Sequence, residues 1–195
     1  MPRALTEQEK CRQCKRLLEK GKDVVLSHGI KKVSIDEITR AAGMAKGSFY
    51  QHFESKEQYM LELIVQVHRQ IFSLAERALL GGSDLRENAR GLLSSLFHMP
   101  EMIFFSKYYH EIDELLDTLA DHEVQSAEEM EVGMFEELLT AAGIDTQKVK
   151  PGVVHNFVHT LYMIAASDRM TKGDLPQTCA LISESLLSYI FGGTE

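Results

Sequence analysis

The sequence predicts an all-α protein with a small N-terminal helical head and a larger C-terminal helical body. Three observations predict it: apolar residues recur at three-and-four spacing, no stretch shows sustained alternation of apolar and polar residues, and glycine or proline separates the periodic segments. About nine helices are expected on this basis. The longest stripe belongs to a helix that starts near Ser55, and it comprises Met60, Leu63, Ile64, Val67, Ile71, Leu74 and Ala78.

Length and composition are those of an ordinary globular chain. The 195 residues are 44% hydrophobic and 26% charged. No segment reaches the roughly 18 consecutive apolar residues that a membrane span needs, and the N-terminus lacks the apolar stretch of a signal peptide. We therefore expect a cytoplasmic protein with no membrane partner. The three cysteines, Cys11, Cys14 and Cys179, are too few for a disulfide framework.

Charge is distributed unevenly along the chain. The net charge is −8, but residues 1–60 carry 12 Lys and Arg against 8 Asp and Glu, a surplus of +4. The remainder has 9 basic and 21 acidic residues, a charge of −12. A basic segment on an acidic chain suits a protein that holds a polyanion at one end only.

A pair of short helices is predicted near the end of the basic segment. Residues 34–37, Ser-Ile-Asp-Glu, match a capping box, which starts a helix, and Gly43 is the residue type that follows a helix C-terminus. A second short helix follows at once, at about Ala45–Phe53. Two short helices joined by a glycine-containing turn form the helix-turn-helix, whose second helix can lie in the DNA major groove.

The second helix of this pair should have an inward and an outward face. Phe49 and Phe53 share one face and should pack inside, whereas Lys46 and Tyr50 share the face that would meet DNA. A further capping-box pattern at residues 55–58 opens the long helix, whose free N–H groups would suit a phosphate. The predicted DNA-binding residues are Ser34, Ala45, Lys46, Gly47, Ser48, Tyr50, His52 and Lys56.

The run from Ser34 to Ile64 resembles, nearly end to end, the DNA-binding signature of the TetR family of repressors. The stretch from Gly43 to Lys56, with its Lys-Gly-Ser sequence and Phe/Tyr/Phe spacing, is its most specific part, and the similarity covers about residues 10–65. The chain departs from the family at Ala45, where a capping serine is common, and at Lys20-Gly21, where two alanines are usual. We expect each change to cost about 1 kcal/mol of helix stability.

The resemblance implies a ligand-responsive transcriptional repressor and not an enzyme. It implies a helix-turn-helix DNA-binding domain at residues 1–54, a ligand-binding and dimerisation domain at residues 55–195, and no cofactor. A homodimer would bind a palindromic operator in double-stranded DNA. A small apolar or aromatic effector would release it by binding the DNA-free conformation better.

Candidate ligand-binding residues come from two places in the body. Soft and aromatic side chains cluster around Pro100; such residues are ordinary core, but in TetR-like proteins this region and the following helix line the effector cavity. His155 and His159 share a helix face and could line a pocket, pack in a core or form half of a metal site. The residues between the two histidines lack the glutamate of a metalloprotease motif, so no metal is predicted. The predicted ligand-binding residues are His98, Met102, Phe105, Tyr109, Met134, His155 and His159.

The last two helices, at about residues 153–167 and 176–191, should pair with their copies in a second subunit, as the resemblance implies. Their candidate interface residues are Leu161, Ile164, Ala165, Ile182, Leu186 and Ile190.

Two other functions stay open at this point. One is a helical binding module without DNA activity, and the other is a metal-dependent helical-bundle enzyme that uses His155, His159 and nearby carboxylates. The sequence contains no Gly-rich phosphate loop and no Glu-x-x-His pair, so no catalytic residue is predicted. A redox function of Cys11 and Cys14 also stays open.

Overall fold

The computed structural model describes residues 6–96, 98–167 and 169–192. Within these ranges the chain forms ten helices and no strand, which confirms the all-α class and adds one helix to the predicted nine. In chain order they are α1 (Glu7–His28), α2 (Ile35–Ala41), α3 (Lys46–Phe49), α4 (Lys56–Leu80), α5 (Leu85–Leu96), α6 (Pro100–Lys107), α7 (Tyr109–Leu116), α8 (Asp121–Ala141), α9 (Pro151–Ala166) and α10 (Leu175–Phe191). None of these described helices is long and apolar enough to cross a membrane.

The chain divides into two compact units. The first unit contains the described residues up to 66 together with residues 110–120, and the second contains the described residues of 67–109 and those from 121 onward. The predicted domain boundary between residues 54 and 55 stays a prediction.

Reciprocal caps start the first two helices. The Thr6 hydroxyl accepts from the backbone N–H of Glu9 at 3.2 Å, and the Glu9 carboxylate accepts from the Thr6 N–H at 2.8 Å. Ser34 and Glu37 repeat the arrangement at α2, as the sequence predicts. Gly43 follows α2 with a φ of 62°, a conformation that favours glycine.

Aromatic rings fill the core of the first unit. The ring centroids of Phe49 and Phe53 lie 5.3 and 5.0 Å from that of Tyr59, and all three side chains are buried. The Tyr59 hydroxyl donates to the Leu17 carbonyl at 3.0 Å. A Cβ atom at Gly21 would lie 2.0 Å from the same hydroxyl. Gly21 is therefore required by packing, a reason that helix propensity alone does not reveal.

The second unit is built around α9, which packs against α6, α8 and α10, while α10 also packs against α5. Leu161, Leu186 and Leu187 are almost completely buried at its centre. Pro100 occupies the first turn of α6. Arg90 on α5 pairs with Glu184 on α10 through a 2.7 Å contact at the surface.

Candidate nucleic-acid interface and ligand cavity

The second helix of the helix-turn-helix is shorter than predicted. α3 ends at Phe49, so the predicted end of this helix at Phe53 is wrong. After Phe49 the chain forms turns, in which the Gln51 N–H donates to the Ser48 carbonyl and the His52 N–H donates to the Phe49 carbonyl. The helix start at Ala45 has no side-chain cap, as expected from the missing serine.

The predicted faces of this segment are nevertheless present. Phe49 and Phe53 are 0% and 5% exposed and anchor the segment in the core, whereas Tyr50 is 54% exposed. Lys46 and Gly47 are also exposed, and a Cβ at Gly47 would meet no atom within 4 Å. The segment therefore presents a cation, a phenol and an unobstructed stretch of backbone to an approaching surface.

The cation on this face is already paired with a carboxylate. The Lys46 Nζ lies 3.2 Å from the Asp36 carboxylate, and both side chains are more than half exposed. Pairs this exposed are weak, so a phosphate could replace the carboxylate as the partner of Lys46.

Three other predicted DNA-binding residues have partners within the first unit. Ser34 is occupied in the α2 capping box. The Lys56 Nζ donates to the Lys31 carbonyl at 3.0 Å, and partial burial lowers the pKa of Lys56. The His52 Nε2 lies 3.1 Å from Gln13 Oε1, and burial together with the nearby Lys10 lowers the pKa of His52. Of the remaining two, Ala45 is exposed and Ser48 is half-buried.

The second unit contains a cavity of about 120 Å³. Among the predicted ligand-binding residues, Met102, His155 and His159 line it. The wall is mostly aliphatic and aromatic; its apolar residues include Ile71, Phe72, Ala75, Leu93, Phe135, Leu139, Val154, Val158, Leu187 and Phe191.

Polar side chains meet at one part of this wall. We call His68, Glu131, His155, His159 and Tyr162 the His–Glu cluster. The Glu131 carboxylate lies 3.3 Å from His155 Nε2 and also contacts His68 Nδ1. Although burial favours its protonated form, contacts with His155 and His68 lower the pKa of Glu131 to about 2. The hydrogen bond to Glu131 raises the pKa of His155 despite partial burial.

The other predicted ligand-binding residues lie beside the cavity or away from it. Phe105 stacks on His68 with 4.5 Å between ring centroids, and the Tyr109 ring contacts that of His159 at 6.4 Å. His98 is exposed, and Met134 lines a separate surface depression; neither is among the residues that line the cavity.

Comparison with known proteins bears on both regions. Residues 17–63 match the family model described as bacterial regulatory proteins, tetR family. The HTH-type transcriptional repressor DhaR of Mycobacterium sp. (strain GP1) is 44% identical over 66 residues, which are 32% of this chain and 33% of DhaR. A TetR-family transcriptional regulator (ECA1819) of Pectobacterium atrosepticum superposes with a TM-score of 0.72 at 15% identity, covering 98% of this chain and 100% of that one. Residues 17–63 therefore match the tetR family in sequence, and the chain shares its fold with a solved TetR-family regulator.

The sequence similarity and the structural similarity cover different lengths of the chain. The match to DhaR spans about a third of that protein's length, and the family model covers residues 17–63, which include the helix-turn-helix. The structural likeness extends over the whole chain. It includes a Bacillus subtilis regulator, FadR, in complex with stearoyl-CoA, with a TM-score of 0.52, 14% identity and coverage of 92% and 99%.

The predicted dimer-interface residues differ in their accessibility. Leu161 and Leu186 are each 1% exposed, so they lie in the core of their own chain. Ile190 lines the cavity. Ile164, Ala165 and Ile182 are half-buried. The apolar side chains most exposed on these two helices are Val153, Met163 and Leu181.

Sequence reasoning missed three members of the His–Glu cluster. His68 lies four residues after Ile64 and three before Ile71, so it falls on the apolar stripe of α4, a signal that could have revealed it. Tyr162 lies four residues after Val158, so its sequence pattern is that of an ordinary core residue on an amphipathic helix. Glu131 was undetectable because α8 is rich in glutamates, and only the packing of the helix shows which one faces inward.

The cysteines of α1 show no sign of an activated thiol. Cys11, Cys14 and Cys179 are all free, with Cys11 exposed and Cys14 half-buried. Burial and the nearby Glu62 raise the pKa of Cys14, which disfavours the reactive thiolate.

Proposed function

We propose that this protein is a sequence-specific transcriptional repressor that binds a palindromic operator as a homodimer and leaves it when a small molecule occupies the cavity. The observation that carries the proposal is the outward face of residues 46–52. Phe49 and Phe53 hold this segment to the core, and Lys46, Gly47 and Tyr50 remain exposed. A short, rigidly anchored segment with an exposed cation and hydrogen-bonding groups fits the geometry of major-groove recognition.

The cavity supports the effector part of this proposal. An enclosed apolar space with a few convergent polar groups is the usual form of a small-molecule site. The FadR neighbour was solved with stearoyl-CoA, so an acyl ligand is one class of effector to test. Release then requires that the effector bind the DNA-free conformation more tightly than the DNA-bound one.

The last two helices support the homodimer. Val153, Met163 and Leu181 leave apolar surface on α9 and α10, and Leu181 is 64% exposed. A two-fold interface that includes these side chains would bury them. Substituting glutamate for Leu181 should convert the dimer to monomer in light-scattering measurements, because two carboxylates would then be desolvated across the symmetric interface.

The DNA-binding proposal is tested by selecting genomic fragments with the purified protein and measuring its affinity for the recovered duplex as a function of salt. Lys46→Ala should weaken binding at every sequence and reduce the steepness of the salt dependence by about one ion. Tyr50→Ala should weaken binding to the selected site by roughly 1–3 kcal/mol while changing non-specific binding little.

The matched control is Lys148→Ala, which removes the same charge from an exposed lysine of the second unit. It should leave the affinity for the duplex unchanged. If the protein selected no fragment, or if its DNA association were both insensitive to salt and unchanged by Lys46→Ala and Tyr50→Ala, the protein would instead be a helical binding module without specific DNA activity.

A further inference from the structure

The His–Glu cluster is the polar part of a cavity whose other walls are apolar, so it must determine which head group a ligand can carry. The cavity of about 120 Å³ is close in volume to the roughly 150 Å³ apolar cavity that holds benzene, so it suits a molecule of about six to eight non-hydrogen atoms. The inference below rests on the proposed function in one respect, namely that the ligand of this cavity is the effector.

The negative charge of the cluster already has partners. Glu131 is ionised, and it contacts both His155 and His68. The raised pKa of His155 reflects its hydrogen bond to this carboxylate. Both carboxylate oxygens of Glu131 are therefore occupied by imidazole nitrogens without any ligand.

The two remaining members of the cluster are neutral and available. The rings of His159 and Tyr162 stack with 4.7 Å between centroids, and within the described part of the chain neither side chain forms a hydrogen bond. Burial and the neighbouring His155 lower the pKa of His159, and burial and Glu131 raise that of Tyr162. His159 thus offers one N–H and one lone pair, and Tyr162 offers a hydroxyl.

A charged head group would be disfavoured at this position. A ligand carboxylate would lie near the ionised Glu131, and a ligand ammonium would find both oxygens of Glu131 already bound by His155 and His68. In either case an ion would leave water for an apolar cavity without a counter-ion of its own. A neutral oxygen meets no such cost, and it can accept a hydrogen bond from either side chain.

We propose that the cavity selects an uncharged, mostly apolar molecule of about six to eight non-hydrogen atoms whose single hydroxyl or carbonyl oxygen binds His159 and Tyr162.

Four probes that share one apolar body test this selectivity: benzyl alcohol, toluene, benzoate and benzylammonium. Their affinities for the full chain are measured by calorimetric titration at neutral pH without DNA. The alcohol should bind at least about tenfold more tightly than either ion, because each ion is desolvated without a partner. It should also bind about three- to tenfold more tightly than the hydrocarbon, as expected for one hydrogen bond.

Substitution of His159 shows whether the cluster is responsible. His159→Phe keeps a planar ring but removes both nitrogens, so the alcohol should lose its advantage over the hydrocarbon while the hydrocarbon's affinity stays within about twofold. His159→Gln restores a donor and an acceptor and should recover part of the advantage. His98→Phe is the matched control at an exposed histidine and should bind all four probes like the wild type.

Several results would overturn the inference. They are equal or tighter binding of either ion, equal binding of the alcohol and the hydrocarbon, retention of the alcohol's advantage in His159→Phe, and no binding of any probe. A separate titration of the selected DNA duplex keeps this inference distinct from the proposed function. If the alcohol bound but left DNA affinity unchanged, the ligand class would stand and the effector assignment would fail.

Discussion

Replacing Gly21 by alanine should destabilise the first compact unit, although alanine is the better helix former. Gly21 lies in the middle of α1, where alanine is favoured by about 1 kcal/mol on propensity alone. The new Cβ would lie 2.0 Å from the Tyr59 hydroxyl oxygen and 3.0 Å from Ile38 Cγ2. Both neighbours are fully buried, so neither can move without disturbing the core.

The magnitude follows from two opposing contributions. Displacing the Tyr59 ring breaks its hydrogen bond to Leu17, which costs about 0.5–1.5 kcal/mol, and overpacking costs about 1–3 kcal/mol more. After the helix-propensity gain is subtracted, the free energy of unfolding should fall by about 1–3 kcal/mol. Urea unfolding followed by far-ultraviolet circular dichroism measures the change.

A double-mutant cycle isolates the clash. Tyr59→Phe alone should cost about 1 kcal/mol because it removes the hydroxyl. In that background the Cβ of Gly21→Ala meets a ring carbon at 3.2 Å, a contact that small shifts can relieve. Gly21→Ala should then cost at least about 1 kcal/mol less than it does in the wild type.

Gly91→Ala is the matched control, because Gly91 lies within α5 and a Cβ there would meet no atom within 4 Å. It should stabilise the protein by up to about 1 kcal/mol. The reasoning would be refuted if Gly21→Ala were as stable as the wild type, or if its cost were unchanged in Tyr59→Phe.

Substitutions at three other sites should separate ion pairing, DNA attraction and helix capping. Glu131→Gln should destabilise the protein most between pH 4.5 and 6.5, by about 1.5–3 kcal/mol. The stabilisation from Glu131 is lost as pH falls towards its folded pKa of about 2, and that from His155 is lost as pH rises through its raised pKa. An unfolding series with no such pH dependence would contradict the pairing. Asp36→Asn should strengthen DNA binding about two- to fivefold at low salt by freeing Lys46, with little change in stability, and unchanged affinity in a salt titration would count against this. Ser34→Ala should cost about 1 kcal/mol in urea unfolding, and a cost near zero would mean that the cap contributes nothing.

The helix-turn-helix could be predicted because its signals are local. Ser34 and Glu37 cap α2 within four residues, and Gly43 ends it through a backbone conformation that its own residue type favours. The inward and outward faces of α3 were also predicted, since Phe49 and Phe53 lie four residues apart. The end of α3 was not, because the same spacing is compatible with an α-helix and with the tighter turns that follow Phe49.

The cavity could be predicted only in part, because it depends on contacts between distant segments. Met102, His155 and His159 were recognisable as soft or polar residues in apolar surroundings. The partner of His155 was not, since 24 residues separate it from Glu131 and other glutamates of α8 have the same local pattern. The steric reason for Gly21 is similarly hidden, because Tyr59 lies 38 residues further along the chain.

The folded chain brings acidic residues next to the basic N-terminal segment, so the charge of the first compact unit differs from that of residues 1–60. Residues 1–60 carry a surplus of +4, but the first compact unit also includes residues 61–66 and 110–120, which add five acidic residues and no basic ones. With 12 basic and 13 acidic residues, the segments 1–66 and 110–120 together have a formal charge of −1. Lys31 accordingly pairs with Glu114 through its ammonium and with Glu111 through its backbone N–H.

Attraction to DNA therefore cannot come from the charge of this unit as a whole. For the proposed function it would have to come from the local placement of Lys46, Gly47 and Tyr50 on one exposed face, where the carboxylate paired with Lys46, that of Asp36, is solvated and weakly bound. Because these segments are nearly neutral, their long-range electrostatic attraction to DNA is weak. Non-specific DNA binding should therefore be weak and strongly reduced by salt. Recognition then depends mainly on contacts that form only when the groove fits, which favours discrimination between operator and other sequences over tight binding to any duplex.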